Sequence, residues 1–172
     1  MKNFFVLFAL ASICTSKIAR AQSPDQDTTA LHFITQASIG NLQEINAGKL
    51  AAQKATRPDV KTFGQHMVAD HTKAQTALLQ LAKSKGYQVP PQATNPPAPE
   101  PMLIKATGKD FDRIYVHMMA PSHRQTVLMY QTYAVSGKDP AVKAFAAQTL
   151  PTIKEHLNTI TAIDNQLKDM AP

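Results

Sequence analysis

Four polar side chains, each on a different helical segment, could meet in the middle of this protein. They are Glu44, His71, His123 and His156, with Asp70 as a further candidate. A carboxylate with several imidazoles is a mixed donor set that suits one transition-metal ion, namely Zn, Mn, Fe, Cu or Ni. The same residues could instead form a structural polar layer, because a buried glutamate is tolerated when a histidine pairs with it. The sequence favours this structural layer in a non-catalytic protein, with His71 facing Glu44, and a mononuclear metal site is the alternative.

Apolar residues recur at helical spacing along four long segments, which would carry these side chains. The predicted helices cover roughly residues 29–55, 58–85, 110–136 and 140 to near the end of the chain. Pro58 and Pro140 suit the first turn of a helix, and Gly86 is typical of a helix end. Pro121 and Pro151 lie inside the third and fourth segments, where each should bend its helix or break one turn. No segment alternates as a strand does, so the predicted fold class is all-α.

The connection between the second and third helices, residues 87–108, is much longer than the other two. Residues 87–101 contain six prolines and read as a polyproline-like linker. Such a linker can run the length of a helix of 28 residues, roughly 42 Å. The sequence therefore predicts a ferritin-like four-helix bundle, up-down-down-up, with a long crossover. In that topology the four candidate residues fall at similar depth, whereas His66, His117 and Glu155 should face solvent.

The first 21 residues have the pattern of an export signal. Lys2 precedes an apolar run over residues 4–13, and Ala19-Arg20-Ala21 supplies small residues before a cleavage point. The run is shorter than the roughly 20 residues of a membrane-spanning helix. We therefore expect an exported protein (periplasmic, associated with the outer membrane, or secreted) with one domain over 22–172 and no transmembrane span.

Removing this leader changes the composition in two ways. Cys14 is the only cysteine of the chain, so the remainder has no thiolate ligand and no disulfide. The net charge falls from +6 to +3, because three basic residues and no acidic ones leave. The remaining basic residues are scattered, which argues against a nucleic-acid partner. A protein partner or a homo-oligomer remains open.

Three stretches of the sequence resemble a known family. They are KLAAQKATRPDVKTFGQHMVADHTKA at 49–74, FDRIYV at 111–116 and SGKDPAVKAFAAQTLPTIKEHL at 136–157. The resemblance is to exported bacterial proteins catalogued as a domain of unknown function in the ferritin-like superfamily and often labelled "predicted outer membrane protein". It covers roughly residues 30–162 and matches Glu44, Asp70-His71 and Glu155-His156, whereas Ser122 replaces an aspartate usual in the family.

The resemblance implies a ferritin-like bundle but no reaction. A di-iron centre of the ferritin type needs four carboxylates and Glu-x-x-His motifs on two helices, and this chain has no such motif. No Gly-x-Ser-x-Gly motif occurs either, and Ser122-His123 are neighbours on one helix rather than parts of an oriented triad. Catalysis is therefore not indicated.

Overall fold

The computed structural model describes residues 27–95 and 97–169, so the predicted leader lies outside the described residues. Within these two ranges the chain is helical, without a strand, which confirms the all-α fold class. The helices are α1 (Thr28–Lys54), α2 (Pro58–Ser84), α3 (Pro101–Lys105), α4 (Gly108–Ser136) and α5 (Pro140–Asp169), with a 3-10 turn at Pro91–Ala93. None of the described helices is both long and apolar enough to cross a membrane.

The helix ends lie close to the predicted positions. Asp27 caps α1 by accepting a hydrogen bond from the Thr29 amide at 3.0 Å. Asp139 accepts bonds from the first two amides inside α5, at 2.8 and 3.1 Å. Pro58 begins α2, and Gly86 follows its end with a φ of 74°, a left-handed conformation that glycine adopts without strain. Capping side chains, a proline and a glycine therefore determine where these helices begin and end.

The sequence predicted a bend or a broken turn at each interior proline, and the broken turn is found at neither. α4 continues through Pro121 and α5 through Pro151, and both rings are exposed. A proline inside a helix removes one backbone hydrogen bond. Next to Pro121, Met119, Ala120 and His123 are buried in the bundle, and this packing holds the helix together.

Contacts at the helix ends give the topology of the bundle. The Thr56 amide, just after α1, donates to Asp112 near the start of α4. At the other end, Phe33 of α1 stacks on Tyr133 of α4 at 4.4 Å between ring centroids. α1 and α4 are therefore antiparallel. α2 and α5 are antiparallel as well, since Arg57 before α2 bonds Gln166 near the end of α5. The predicted up-down-down-up four-helix bundle is confirmed.

The crossover between α2 and α4 runs back along α1 and is bonded to it at three levels. The Ser38 hydroxyl donates to the Ala93 carbonyl, and Asn46 Nδ2 donates to the Pro97 carbonyl at 2.8 Å. Lys54 Nζ donates to the Ile104 carbonyl at 2.6 Å. The three α1 residues are eight positions apart, and eight residues turn an α-helix by two full turns and about 80°. The crossover therefore winds around α1 as it runs along it, and these three bonds hold it in place.

Two apolar clusters occupy the two ends of the bundle and leave a polar layer between them. One cluster contains Phe63, Tyr115 and Ile160 and lies near the short loop that joins α1 to α2. The other contains Phe33 and Tyr130, at the opposite end. Buried polar side chains, among them Glu44, His71, His123 and His156, lie in the layer between these clusters, at the depth that the sequence predicted.

Candidate metal centre

Three buried histidines from three different helices form a compact group in the polar layer. They are His71 of α2, His123 of α4 and His156 of α5, with exposed fractions of 5%, 1% and 6%. One ring nitrogen of each lies within 4.8 Å of those of the other two. The ring centroids are 5.4 to 6.0 Å apart, so the rings form a nearly regular triangle. We call these residues the histidine triad.

Each ring of the histidine triad is oriented by one hydrogen bond to an oxygen atom. The bonds join His71 Nδ1 to Asn41 Oδ1 at 2.9 Å, His123 Nδ1 to the Met119 carbonyl at 3.0 Å, and His156 Nε2 to Asp70 Oδ2 at 2.9 Å. A carbonyl or carboxylate oxygen can only accept here, so the bonded ring nitrogen carries the proton. The bonds therefore define the tautomer of each ring.

The second nitrogen of each ring is buried and carries a lone pair without a hydrogen-bond partner. His71 Nε2, His123 Nε2 and His156 Nδ1 are inaccessible to solvent and accept no hydrogen bond from the described residues. In a neutral imidazole the nitrogen without hydrogen is an acceptor or a metal ligand. The triad thus presents three such nitrogens, one from each of three helices.

Burial favours the neutral form of the His71 and His156 rings. It lowers the pKa of His71 to about 3, and repulsion from His123 and His156 acts in the same direction. The pKa of His156 is also lowered by burial, although its hydrogen bond to Asp70 opposes the shift. A neutral ring is the form that binds metal ions, because protonation would occupy the lone pair.

Glu44 is buried in the same layer but lies outside the triad. Its Oε1 accepts a hydrogen bond from the Ser122 hydroxyl at 2.8 Å and is 3.7 Å from His123 Nδ1, the nitrogen already bonded to the Met119 carbonyl. Its Oε2 is buried without a partner, and burial raises the pKa of this carboxyl group. Glu44 therefore approaches the protonated side of His123.

The predicted pairing of His71 with Glu44 is not found. His71 bonds Asn41, which precedes Glu44 by three residues and so lies about one helical turn away on the same face of α1. Asn41 is held in turn by a chain of hydrogen bonds. Its Nδ2 donates to Gln75 Oε1 at 3.2 Å, and Gln75 Nε2 donates to the Ser38 hydroxyl at 2.7 Å. Neither Asn41 nor Gln75 was among the predicted site residues. Gln75 lies four residues after His71 on α2, and this i, i+4 spacing is its only sequence signal.

The three residues that were predicted to face solvent do so. His66 and Glu155 are exposed. His117 is half-exposed on α4, and its Nδ1 is 3.1 Å from a carboxylate oxygen of Asp164. None of these residues joins the triad. Asp70 reaches it only through its bond to His156.

A narrow cleft between α2 and α5 leads from the surface to two of the three rings. It has a volume of about 20 Å³ and is lined by Asp70, His71, Thr152 and His156, among others. A space of this size holds about one water molecule. The side chain of Asp70 is 44% exposed, which places a carboxylate at the cleft. The cleft therefore has room for about one water-sized molecule or ion.

The fold and this site describe a small helical-bundle protein with a buried cluster of three histidines. The chain belongs to the family described as domain of unknown function (DUF4142), whose sequence model matches residues 15–163. This agrees with the resemblance to a family of unknown function. Comparison with proteins of curated function gives no match.

Several solved structures share the fold at low sequence identity. A DUF305 fragment from Deinococcus radiodurans is 13% identical, with a TM-score of 0.68 over 81% of this chain and 97% of that chain. CopM in an Ag-bound form is 15% identical, with a TM-score of 0.67, and its Cu(I)-bound form is 16% identical, with a TM-score of 0.66. Both CopM comparisons cover 80% of this chain and 96% of that chain. At these identities the likeness concerns the fold.

Proposed function

We propose that this protein binds one transition-metal ion at mid-bundle through His71, His123 and His156. The observation that carries the proposal is a group of three buried histidines that each offer a ring nitrogen within 4.8 Å of the other two and that each have one buried ring nitrogen without a partner. A layer with a purely structural role would pair these atoms, since each unpaired buried polar group costs about 1–3 kcal/mol. A metal ion bound to all three removes that cost.

The donors fit a metal ion in chemistry and in size. Imidazole suits Zn, Cu, Fe and Ni, and metal-binding histidines generally donate their other N–H to a carboxylate or carbonyl oxygen, as all three rings do here. A regular triangle with 4.8 Å sides has its centre about 2.8 Å from each corner, against about 2.0–2.1 Å for a Zn–N bond. Small side-chain rotations would therefore bring the three ring nitrogens within bonding distance of one metal ion.

Copper is the metal that we propose. CopM, which shares the fold, has been crystallised in Cu(I)-, Cu(II)- and Ag-bound forms. The triad is a set of nitrogen donors without a carboxylate, because Glu44 and Asp70 contact the protonated sides of His123 and His156. We infer that these two acids orient and neutralise the site rather than ligate, and zinc is the competing occupant.

Binding or carriage of the ion, rather than catalysis, is the role we propose. The cleft beside His71 and His156 has room for about one water-sized molecule, so no organic substrate can reach the ion. The leader pattern in residues 1–21 supports export, and we place this ferritin-like protein in the cell envelope, where it would bind metal outside the cytoplasm.

Elemental analysis of metal-loaded protein tests the proposal. The purified protein is incubated with Cu(I) or Zn(II), separated from free metal by gel filtration, and measured for bound metal. We expect one equivalent in the wild type and in His66→Ala, and a loss of stoichiometric metal in His71→Ala and His156→Ala. A wild type without stoichiometric metal, or a His71→Ala variant that retains it, would favour the purely structural layer.

Asp70→Asn separates orientation from ligation. The amide keeps an oxygen that can accept from His156 Nε2 but removes the negative charge beside the cleft. Changes to residues that orient metal ligands typically weaken affinity 10- to 100-fold. We expect a loss in this range with one equivalent still bound at saturation, as measured by chelator competition. Unchanged affinity would contradict the role given to Asp70.

A further inference from the structure

A second pocket lies on another side of the bundle, between α1, α4 and the crossover. Its volume is about 130 Å³. Glu44 and Asn46 line it from α1, Ser122 from α4, and Glu100 from the crossover. It includes none of the triad histidines and is several times larger than the cleft between α2 and α5. We call it the crossover pocket.

The polar groups of the crossover pocket call for a ligand that donates hydrogen bonds and carries positive charge. Its acidic lining residues are Glu44 and Glu100, and no basic side chain lines it. The hydroxyl of Ser122 already donates to Glu44, and the amide of Asn46 donates to the Pro97 carbonyl. Glu44 is 5% exposed, and its Oε2 has no hydrogen-bond partner among the described residues. The pocket thus offers an unsatisfied acceptor.

The rest of the lining is apolar. Met118, Met119 and Leu103 form part of the wall, and prolines of the crossover form another part. Calcium and magnesium ions require six or more oxygen ligands or retained waters, which thioether and methyl groups cannot supply. An apolar cavity of about 150 Å³ holds a molecule such as benzene, so this volume suits a short carbon chain.

We propose that the crossover pocket binds a small organic ammonium ion, with its charged nitrogen against Glu44 and its short apolar chain against Met118, Met119 and Leu103. The ammonium group supplies N–H donors to the Glu44 carboxylate, whose Oε2 has no partner among the described residues. This site contains none of the triad histidines, although Glu44 lies between the two sites, 3.7 Å from His123 Nδ1.

Calorimetric titration with n-butylammonium chloride tests the proposal, with n-butanol as a neutral ligand of the same shape. In metal-free wild type we expect one saturable site, at least tenfold tighter for the ammonium ion than for the alcohol. Glu44→Gln should lose at least tenfold in affinity, whereas Glu155→Gln, at an exposed glutamate of α5, should bind as the wild type does.

Several results would overturn the proposal. These are no saturable binding at millimolar concentrations, equal binding of n-butanol, displacement of the amine by Ca²⁺ or Mg²⁺, or unchanged binding in Glu44→Gln. If Glu44→Gln does not fold, the comparison of amine with alcohol in the wild type decides the question alone. Metal content is measured separately, so failure of the metal centre leaves the result interpretable.

Discussion

The stability of the metal-free protein should depend on pH through His71. Burial lowers the pKa of this histidine to about 3 in the folded protein, from an ordinary value of 6.5. Between these two values the unfolded chain binds a proton that the folded protein does not. Stability is therefore lost as the pH falls through 6.5 and continues to be lost until about pH 3.

The loss of stability at pH 5 follows from the same two pKa values of His71. Each pH unit below 6.5 costs about 1.4 kcal/mol, so at pH 5 the loss due to His71 is roughly 2 kcal/mol. This figure depends little on the folded value, provided that the folded pKa lies well below 5. It is large against the stability of an ordinary domain, about 5–15 kcal/mol.

Urea unfolding in the presence of a chelator, at pH 8 and pH 5, measures this loss. His71→Gln removes the titrating ring and keeps an amide that can bond Asn41. Wild type should lose about 2 kcal/mol more between the two pH values than this variant does. His66→Gln, at an exposed position of the same helix, should behave as the wild type does. Equal pH dependence in wild type and His71→Gln would refute the inference that His71 is buried in its neutral form.

Two further substitutions test the packing that holds the site together. A Cβ on Gly64 would lie 2.6 Å from the Ala51 Cβ, so Gly64→Ala should force α1 and α2 apart and lower the free energy of unfolding by about 1–3 kcal/mol. Asp112 accepts hydrogen bonds from the Thr56 and Arg57 amides, both at 3.0 Å, and Asp112→Ala should cost at least about 2 kcal/mol because both of these bonds to a carboxylate are lost. Urea unfolding measures both losses.

Each of these substitutions has a matched control. A Cβ on Gly40, in the same helix as Ala51, would meet nothing within 4 Å, so Gly40→Ala should stabilise the protein by roughly 0.5–1 kcal/mol. Asp110 forms an exposed pair with Arg113, and Asp110→Ala should cost less than about 1 kcal/mol. A variant that matches its control in stability would contradict the packing described for that position.

The fold was predictable because its signals are local. Pro58, Gly86 and Pro140 mark helix ends through their own backbone conformational preferences, which do not depend on tertiary contacts. The length of the crossover favours an up-down-down-up topology over a simple meander, and this inference needs no knowledge of packing. The effect of Pro121 was not predictable in this way, because the packing of its buried neighbours decides whether the helix continues.

The candidate site was predictable in depth but not in its contacts. Counting residues from the loops places His71, His123 and His156 at one level, since every helical residue rises by about 1.5 Å. Whether His71 reaches Glu44 or Asn41, one turn away, depends on the rotation of α1 and on side-chain rotamers. Neither of these can be read from apolar spacing. The role of Ser122 as the partner of Glu44 was missed for the same reason.

The most direct test of the metal centre is X-ray absorption spectroscopy of the purified protein loaded with one equivalent of copper. We predict three nitrogen ligands at about 2 Å, with the multiple-scattering signature of imidazole rings. His123→Ala should reduce the number of imidazole ligands to two. A spectrum dominated by oxygen ligands, an unchanged count in His123→Ala, or a protein that does not retain copper would contradict the proposal.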